Sequence, residues 1–285
     1  MTDTYRSAPS PAAPGRRTLA VLGASALALS LLAAPANAYA DPLQPTVRLP
    51  AALTPVGTVP VPDRKWQPAL DFDTDSCYNV PAIWANGKIN PGLPVNAGTL
   101  TSDCRNRNRL GATNVYSRAK CNNGWCAYMY AYYFQKDMSA NPVYNPLTGM
   151  TNGSGHRHDW EHIIVWVHEQ KAHYVSVSQH TGYELHIAPE LPWMASHPKI
   201  VYHKDGPSTH AFRFAKLGGG DEPPENHQGR WQLGRLIGWK NYPAGTRAKL
   251  VGADFGAATF KLVNGRFADA LAKAKPAAIP FDPRA

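Results

Sequence analysis

Gly155-His156-Arg157-His158-Asp159-Trp160-Glu161-His162 runs directly into Ile163-Ile164-Val165-Trp166-Val167. A cluster of imidazoles and carboxylates gives way to a run of β-branched and aromatic residues, the composition of a strand. That choice decides the chemistry. His158-Asp159-Trp160-Glu161-His162 also fits the H-x-x-E-H pattern of inverted zinc peptidases, but that pattern needs a helix, where positions four apart share a face. On a strand, at about 3.3 Å per residue, His158 and His162 stand about 13 Å apart, too far to share one zinc. The zinc-peptidase reading is therefore the weaker one. In a strand, Asp159 and Glu161 point the same way with Cα atoms about 6.6 Å apart, while His158, Trp160, His162, Ile164 and Trp166 take the other face. His156 follows the turn-forming Gly153-Ser154-Gly155, which can swing its imidazole over the carboxylates. Two carboxylates and one imidazole, with water filling the shell, suit Ca²⁺ or Mg²⁺ better than zinc. Arg157 can balance charge or bind a carboxylate nearby. The other reading open at this point is that Asp159 and Glu161 form ion pairs at a sheet edge with no metal.

Outward from that strand, the chain reads as mainly β. Ala127–Phe134, dense in tyrosine, predicts a strand, as do His162–His168, Ala172–Gln179 and Glu184–Ile187. His210–Phe214 and Ala248–Val251 are weaker strand candidates. Ser139–Ser154, with Pro142, Pro146, Gly149 and Gly153, reads as a surface loop. Val80–Leu100 is loop-rich, and Phe267–Lys275 is the best helix. Short strands dominate, so the expected architecture is a single-domain β-sandwich with peripheral helices. The 8 Trp and 8 Phe suffice for one substantial core. Trp84, Trp193, Trp231 and Trp239 are read first as packing residues, with sugar or interface contact as the alternative. His173, His180, His186, His197, His203, His210 and His227 show no ligand spacing that fits strands.

The first 40 residues read as a secretory signal peptide. Arg16-Arg17 precedes an apolar stretch from Leu19 to Ala34, followed by the small-x-small sites Ala36-Asn37-Ala38 and Ala38-Tyr39-Ala40. The paired arginines also allow twin-arginine export. Residues 41–70 then form a Pro-rich extended arm, coreless from Asp41 to Arg64, and 71–285 the folded domain. No other segment approaches the roughly 20 apolar residues needed to span a bilayer. Removing the leader lowers the formal charge from +9 to +7. That excess favours anionic lipid head groups or phosphorylated glycans, or is simply an ordinary basic secreted surface. Export and the lack of a dense Lys/Arg stripe argue against nucleic acid. Four cysteines, Cys77, Cys104, Cys121 and Cys126, read in an oxidising compartment as two disulfides. Three pairings are possible. Cys121 with Cys126, around the turn-like Asn122-Asn123-Gly124-Trp125, and Cys77 with Cys104 are favoured.

The run Gly155 to Glu161 with His162 resembles the hallmark of the necrosis- and ethylene-inducing peptide 1-like proteins, the NPP1 family, here in a bacterial-type secreted form. Ala127-Tyr128-Met129-Tyr130-Ala131-Tyr132-Tyr133-Phe134-Gln135-Lys136-Asp137 is similar to the family's immunogenic segment. Tyr174–His180, Gln228–Leu233 and Ala253–Ala258 are family-like too, so the resemblance covers Asp71 to Ala274. It implies a β-sandwich resembling actinoporins and fungal lectins, and a Ca²⁺ or Mg²⁺ ion in an exposed acidic cavity held by Asp137, His156, Asp159 and Glu161. Arg157 and His158 would stand beside those ligands as supporting or head-group contacts. The resemblance further implies a secreted, non-enzymatic cytolysin, monomeric in solution. It would associate peripherally with plant plasma membranes by binding glycosyl inositol phosphorylceramide sphingolipids. A Cys77–Cys104 disulfide belongs to the family pattern, and the Cys121–Cys126 pair to a subgroup with a second bridge. Three features depart from it: Gln135 where proline is usual, no proline in Ala257–Phe260, and a Ser139–Ser154 segment longer than usual. A lectin or adhesin on the same scaffold and a metallohydrolase are the competing functions.

Overall fold

The computed structural model describes residues 49–216 and 222–285; the expected leader lies outside the described residues. In chain order the strands are β1 (Ala69–Phe72), β2 (Asn114–Asn122), β3 (Trp125–Asn145), β4 (Met150–His168), β5 (Lys171–Gln179), β6 (Gly182–Ile187), β7 (Trp193–Met194), β8 (His197–Lys204), β9 (His210–Phe214) and β10 (Arg235–Gly238). The α-helices are α1 (Val61–Lys65), α2 (Thr246–Val251) and α3 (Asn264–Ala274). One sheet runs β10-β2-β3-β4-β5-β6, antiparallel except for the parallel β10–β2 pair. In the other, β8 lies between β1, parallel to it, and β9, antiparallel, while β7 pairs with the start of β8.

β3 and β4 are buried on both faces over their central halves. Tyr130, Tyr132, Phe134, Ile163, Val165 and Val167 pack against Phe72, Ile200, Tyr202, Phe212 and Phe214 of the second sheet. Met129, Tyr133, Trp160, Ile164 and Trp166 pack against Phe255, Phe260, Phe267, Leu271 and Phe281 from the C-terminal segment. Strands covered on both sides need apolar residues at successive positions, which explains the unbroken run from Ile163 to Val167. Each such side chain contributes on the order of 1.5–3 kcal/mol by leaving water. The result is a mixed β fold of two facing sheets with helices at the periphery. Both disulfides form as favoured, Cys77–Cys104 and Cys121–Cys126, the second closing the β2–β3 hairpin.

Three local expectations are corrected. Ser139–Ser154 is not a loop but the outer part of the β3–β4 hairpin, paired at Ala140–Ser154, Val143–Asn152, Tyr144–Thr151 and Asn145–Met150. Pro142 sits at a register irregularity, and Pro146 and Gly149 lie in the turn, so the residues that suggest a loop occupy positions strands tolerate. Ala248–Val251 belongs to helix α2, not a strand; so short an apolar run does not distinguish the two by pattern. The Pro-rich segment has a core contact after all: Leu53 is buried, and its backbone N–H and C=O both bond the Asn114 side chain, at 2.9 and 3.0 Å. Farther along, Asp63 in α1 accepts a hydrogen bond from Ser117 Oγ at 2.6 Å.

Candidate metal centre

β3 and β4 change face together where they leave the core. Phe134 pairs with Asp159, and Asp137 with His156. In each strand the two residues facing the same way are three apart rather than two. Between them His158 has φ of +65°, a left-handed conformation that breaks the strict alternation of a strand. The next requirement is Gly155, at φ +119°, where a Cβ would meet the Asp137 carbonyl oxygen at 2.0 Å. Only glycine accepts both the dihedral and the approach.

This geometry gathers Asp137, His156 and Asp159, with one ligand atom of each within 4.8 Å of the others. Asp137 and Asp159 are buried, while the His156 side chain is one-third exposed, so the cluster opens to solvent on the imidazole side. His156 Nδ1–H donates to the His158 carbonyl oxygen at 2.6 Å. That bond fixes the tautomer, leaving a lone pair on Nε2, the nitrogen facing Asp137 Oδ2 at 3.9 Å. Asp137 is held by His210, whose backbone N–H reaches the two carboxylate oxygens at 2.9 and 3.0 Å and whose Nδ1–H reaches Oδ1 at 2.7 Å. Asp159 Oδ2 accepts the Tyr202 hydroxyl at 2.9 Å. Tyr202 in turn stacks between Phe134, 3.7 Å away, and His210, 5.2 Å away. Burial and the neighbouring Asp137 carboxylate push the Asp159 carboxyl up to about 7. Buried carboxylates that repel each other, oriented by outer hydrogen bonds beside an imidazole with a free lone pair, make a donor set that fits a divalent cation.

The other expected site residues lie around this cluster. Glu161 follows Asp159 in β4, but its carboxylate accepts a hydrogen bond from Ser178 Oγ and it is not among the three converging groups. Burial and the Asp159 charge raise its pKa well above the usual value. His158 acts through its carbonyl, as the acceptor for His156. Its ring turns away, bonded to Tyr133 OH at 2.5 Å and edge-on to Phe255. Arg157 is exposed, near the Pro91 carbonyl. His162 bonds Tyr183 OH at 2.6 Å, so the two histidines of the peptidase-like pattern engage different partners and share no site.

Residues 62–274 match the family described as "Necrosis inducing protein (NPP1)". The chain belongs to that family. Its relatives include "NLP effector protein 10" of Phytophthora capsici, 31% identical over 207 residues that span 70% of this chain and 77% of the relative. Another is "Necrosis-inducing protein NPP1" of Phytophthora nicotianae, 30% identical over 71% of this chain and 77% of its own. Among solved structures, "NLPPya in complex with mannosamine" superposes with a TM-score of 0.61 at 26% identity, covering 79% of this chain and 95% of that one. "Crystal structure of non-toxic HaNLP3 protein" superposes with a TM-score of 0.62, also at 26% identity, covering 81% and 99%. The relatives are described as effectors or as having a toxin fold, and one of them as non-toxic; none of these is described as an enzyme.

Sequence reasoning found Asp159 and Glu161 from strand periodicity, His156 from a turn expected at Gly153-Ser154-Gly155 that is instead paired strand in β4, and Asp137 only through the family resemblance. It missed His210 and Tyr202. His210 lies 73 residues from Asp137, and no short spacing announces such a partner. The sequence offered His210 only as the first residue of the strand candidate His210–Phe214, which forms as β9.

Proposed function

We propose that this necrosis-inducing protein is an exported, bacterial-type cytolysin that binds the sugar head groups of plant glycosyl inositol phosphorylceramides and permeabilises the membrane carrying them. The observation that carries the reading is the convergence of Asp137, His156 and Asp159 at a solvent-facing opening between the sheets. Such a set of hard oxygen donors and one imidazole suits Ca²⁺ or Mg²⁺ with coordination positions left for water or sugar hydroxyls. Glu161, the next carboxylate along β4, is the proposed fourth ligand. A cation bound there supplies a positive centre for hydroxyl oxygens; the chain's own residues do the rest. His210 and Tyr202 hold the two aspartates in place, and the His158 carbonyl keeps His156 Nε2 available. One relative, solved in complex with mannosamine and also with glucosamine, supports a sugar as the ligand. The Arg16-Arg17 leader supports export, and among the described residues no helix is long and apolar enough to cross a membrane. The protein acts as a monomer in solution and as a peripheral protein on the target membrane.

A second reading is favoured by one specific observation: a relative of the same fold is described as non-toxic. On that reading the site binds glycans without lysis. Release of a trapped dye from vesicles containing glycosyl inositol phosphorylceramide separates the two. Leakage that is lost both on chelation and in Asp159→Ala supports the cytolysin. Vesicle binding without leakage by folded wild-type protein overturns it in favour of the lectin.

A further inference from the structure

The ribbon beyond the metal centre carries no charge. From Ser139 to Ser154 there is no Asp, Glu, Lys, Arg or His, although 17% of the chain is charged. Its tip presents Val143, Tyr144, Leu147 and Met150 to solvent, with Leu147 94% exposed. Single exposed apolar side chains are ordinary, but four gathered on one two-stranded tip mark a contact surface. The base of the ribbon is held. Asn141 Oδ1 accepts the Leu100 N–H at 2.8 Å, the Ser139 and Ser154 hydroxyls bond each other, and Gly153 lies so close to Val95 that a Cβ would sit 2.0 Å from its carbonyl oxygen. A fixed base and an uncovered apolar tip describe a post. From Asp137 to Asn145 it extends at most about 26 Å, at about 3.3 Å per residue.

We propose that this ribbon is a bilayer-interface anchor, which seats Val143, Tyr144, Leu147 and Met150 at the level where head groups meet acyl chains. The inference rests on the membrane-active reading given under Proposed function and names how that site is held over its target. Four side chains on a convex tip cannot supply the roughly 1,200 Å² that a stable protein–protein contact requires. A lipid surface imposes no shape and takes apolar groups to a depth of about 5–10 Å. Tyrosine is favoured at that boundary, and the absence of charge removes the main cost of entry. Among the described residues no further strand pairs with the outer edges of the ribbon, which limits it to shallow seating, because backbone groups need water or head-group partners. With the tip seated, the post can hold the metal centre up to roughly 20 Å above the lipid surface by the same rise per residue, at the height of a head group of several sugars.

The test uses Leu147→Cys carrying a polarity-sensitive fluorophore. All four native cysteines are in disulfides, so the new thiol is labelled alone. Leu233→Cys, at another exposed apolar position, is the control. Full-length mature protein is sedimented with phosphatidylcholine vesicles containing glycosyl inositol phosphorylceramide. The expected result is a blue shift at 147, quenched by spin-labelled lipid, with position 233 unchanged. In addition, Leu147→Asp with Met150→Asp weakens vesicle association by about 10- to 100-fold, from the loss of buried apolar groups, while binding of the free head-group sugar is unchanged. Sedimentation with the label at 147 still in water overturns the anchor and leaves the head-group reading standing. No sedimentation of folded protein overturns both. Cross-linking between 147 positions of two copies in vesicle-free solution overturns the anchor in favour of self-association.

Discussion

The inner and outer halves of the β3–β4 hairpin are built from the same two strands and behave as different materials. Inside, from Ala127 to Phe134 and from Asp159 to Val167, every residue is buried. Outside, from Asn141 to Asn145 and from Met150 to Gly155, most side chains face solvent. The inner half is held by side-chain packing on two faces, the outer half by backbone pairing and contacts at its base. The candidate metal centre occupies the joint, where Asp137 and Asp159 are buried and His156 is one-third exposed. A site at the edge of a core gains electrostatic strength from the core and access from the edge.

The largest effect expected lies in the inner half. Trp166 is fully buried, and its Nε1–H donates to Ser176 Oγ at 2.9 Å. Trp166→Ala should cost about 3–5 kcal/mol in urea unfolding; a loss below about 1 kcal/mol would show that the two-faced packing does not carry the stability. At the joint, Gly155→Ala should cost about 1–3 kcal/mol through its backbone alone and abolish cation binding measured by calorimetry. Cation affinity retained in the alanine variant would break the link between the Gly155 geometry and the site.

Acidity sharpens the comparison further. The folded pKa of Asp159, about 7, lies above the ordinary carboxylate value of 3.8. Its contribution to stability is therefore fully present below that ordinary value and is lost as pH rises through about 7. With a chelator present, the thermal midpoint should fall between about pH 4 and 7 through this group, and saturating Ca²⁺ or Mg²⁺ at pH 7 should restore it. Asp159→Asn should flatten that part of the profile; an unchanged slope in the variant would assign the dependence elsewhere. The smallest effect belongs to the outer half. Leu147→Ser should change unfolding free energy in water by less than about 0.5 kcal/mol, and a larger loss would mean the tip packs against something in the free protein.

Legibility followed the same division. The inner half could be read from Ile163-Ile164-Val165-Trp166-Val167, because a doubly covered strand must be apolar at successive positions. The outer half could not. With both faces in solvent it carries no alternation, and Pro142, Pro146, Gly149 and Gly153 suggested a loop. Its pairing continues the inner hairpin through two register shifts, between Met138 and Ala140 and between Ala140 and Val143. Periodicity placed Asp159 and Glu161 on one face, but it could not foresee that Glu161 bonds Ser178 while Asp137 and His156 join Asp159 after both strands change face.

The sequence by itself determined what is local: the strand through Asp159 and the grouping of imidazole with carboxylate in one short run. Those follow from steric and hydrogen-bonding preferences acting over a few residues. The turn expected at Gly153-Ser154-Gly155 is instead paired strand. Only the tertiary structure decided which residues hold the two carboxylates still. His210 and Tyr202 reach Asp137 and Asp159 because the second sheet packs across the first, and that placement depends on hydrophobic burial summed over both sheets. Burial is non-directional and carries no short-range signature, so the partners it brings together cannot be read from spacing.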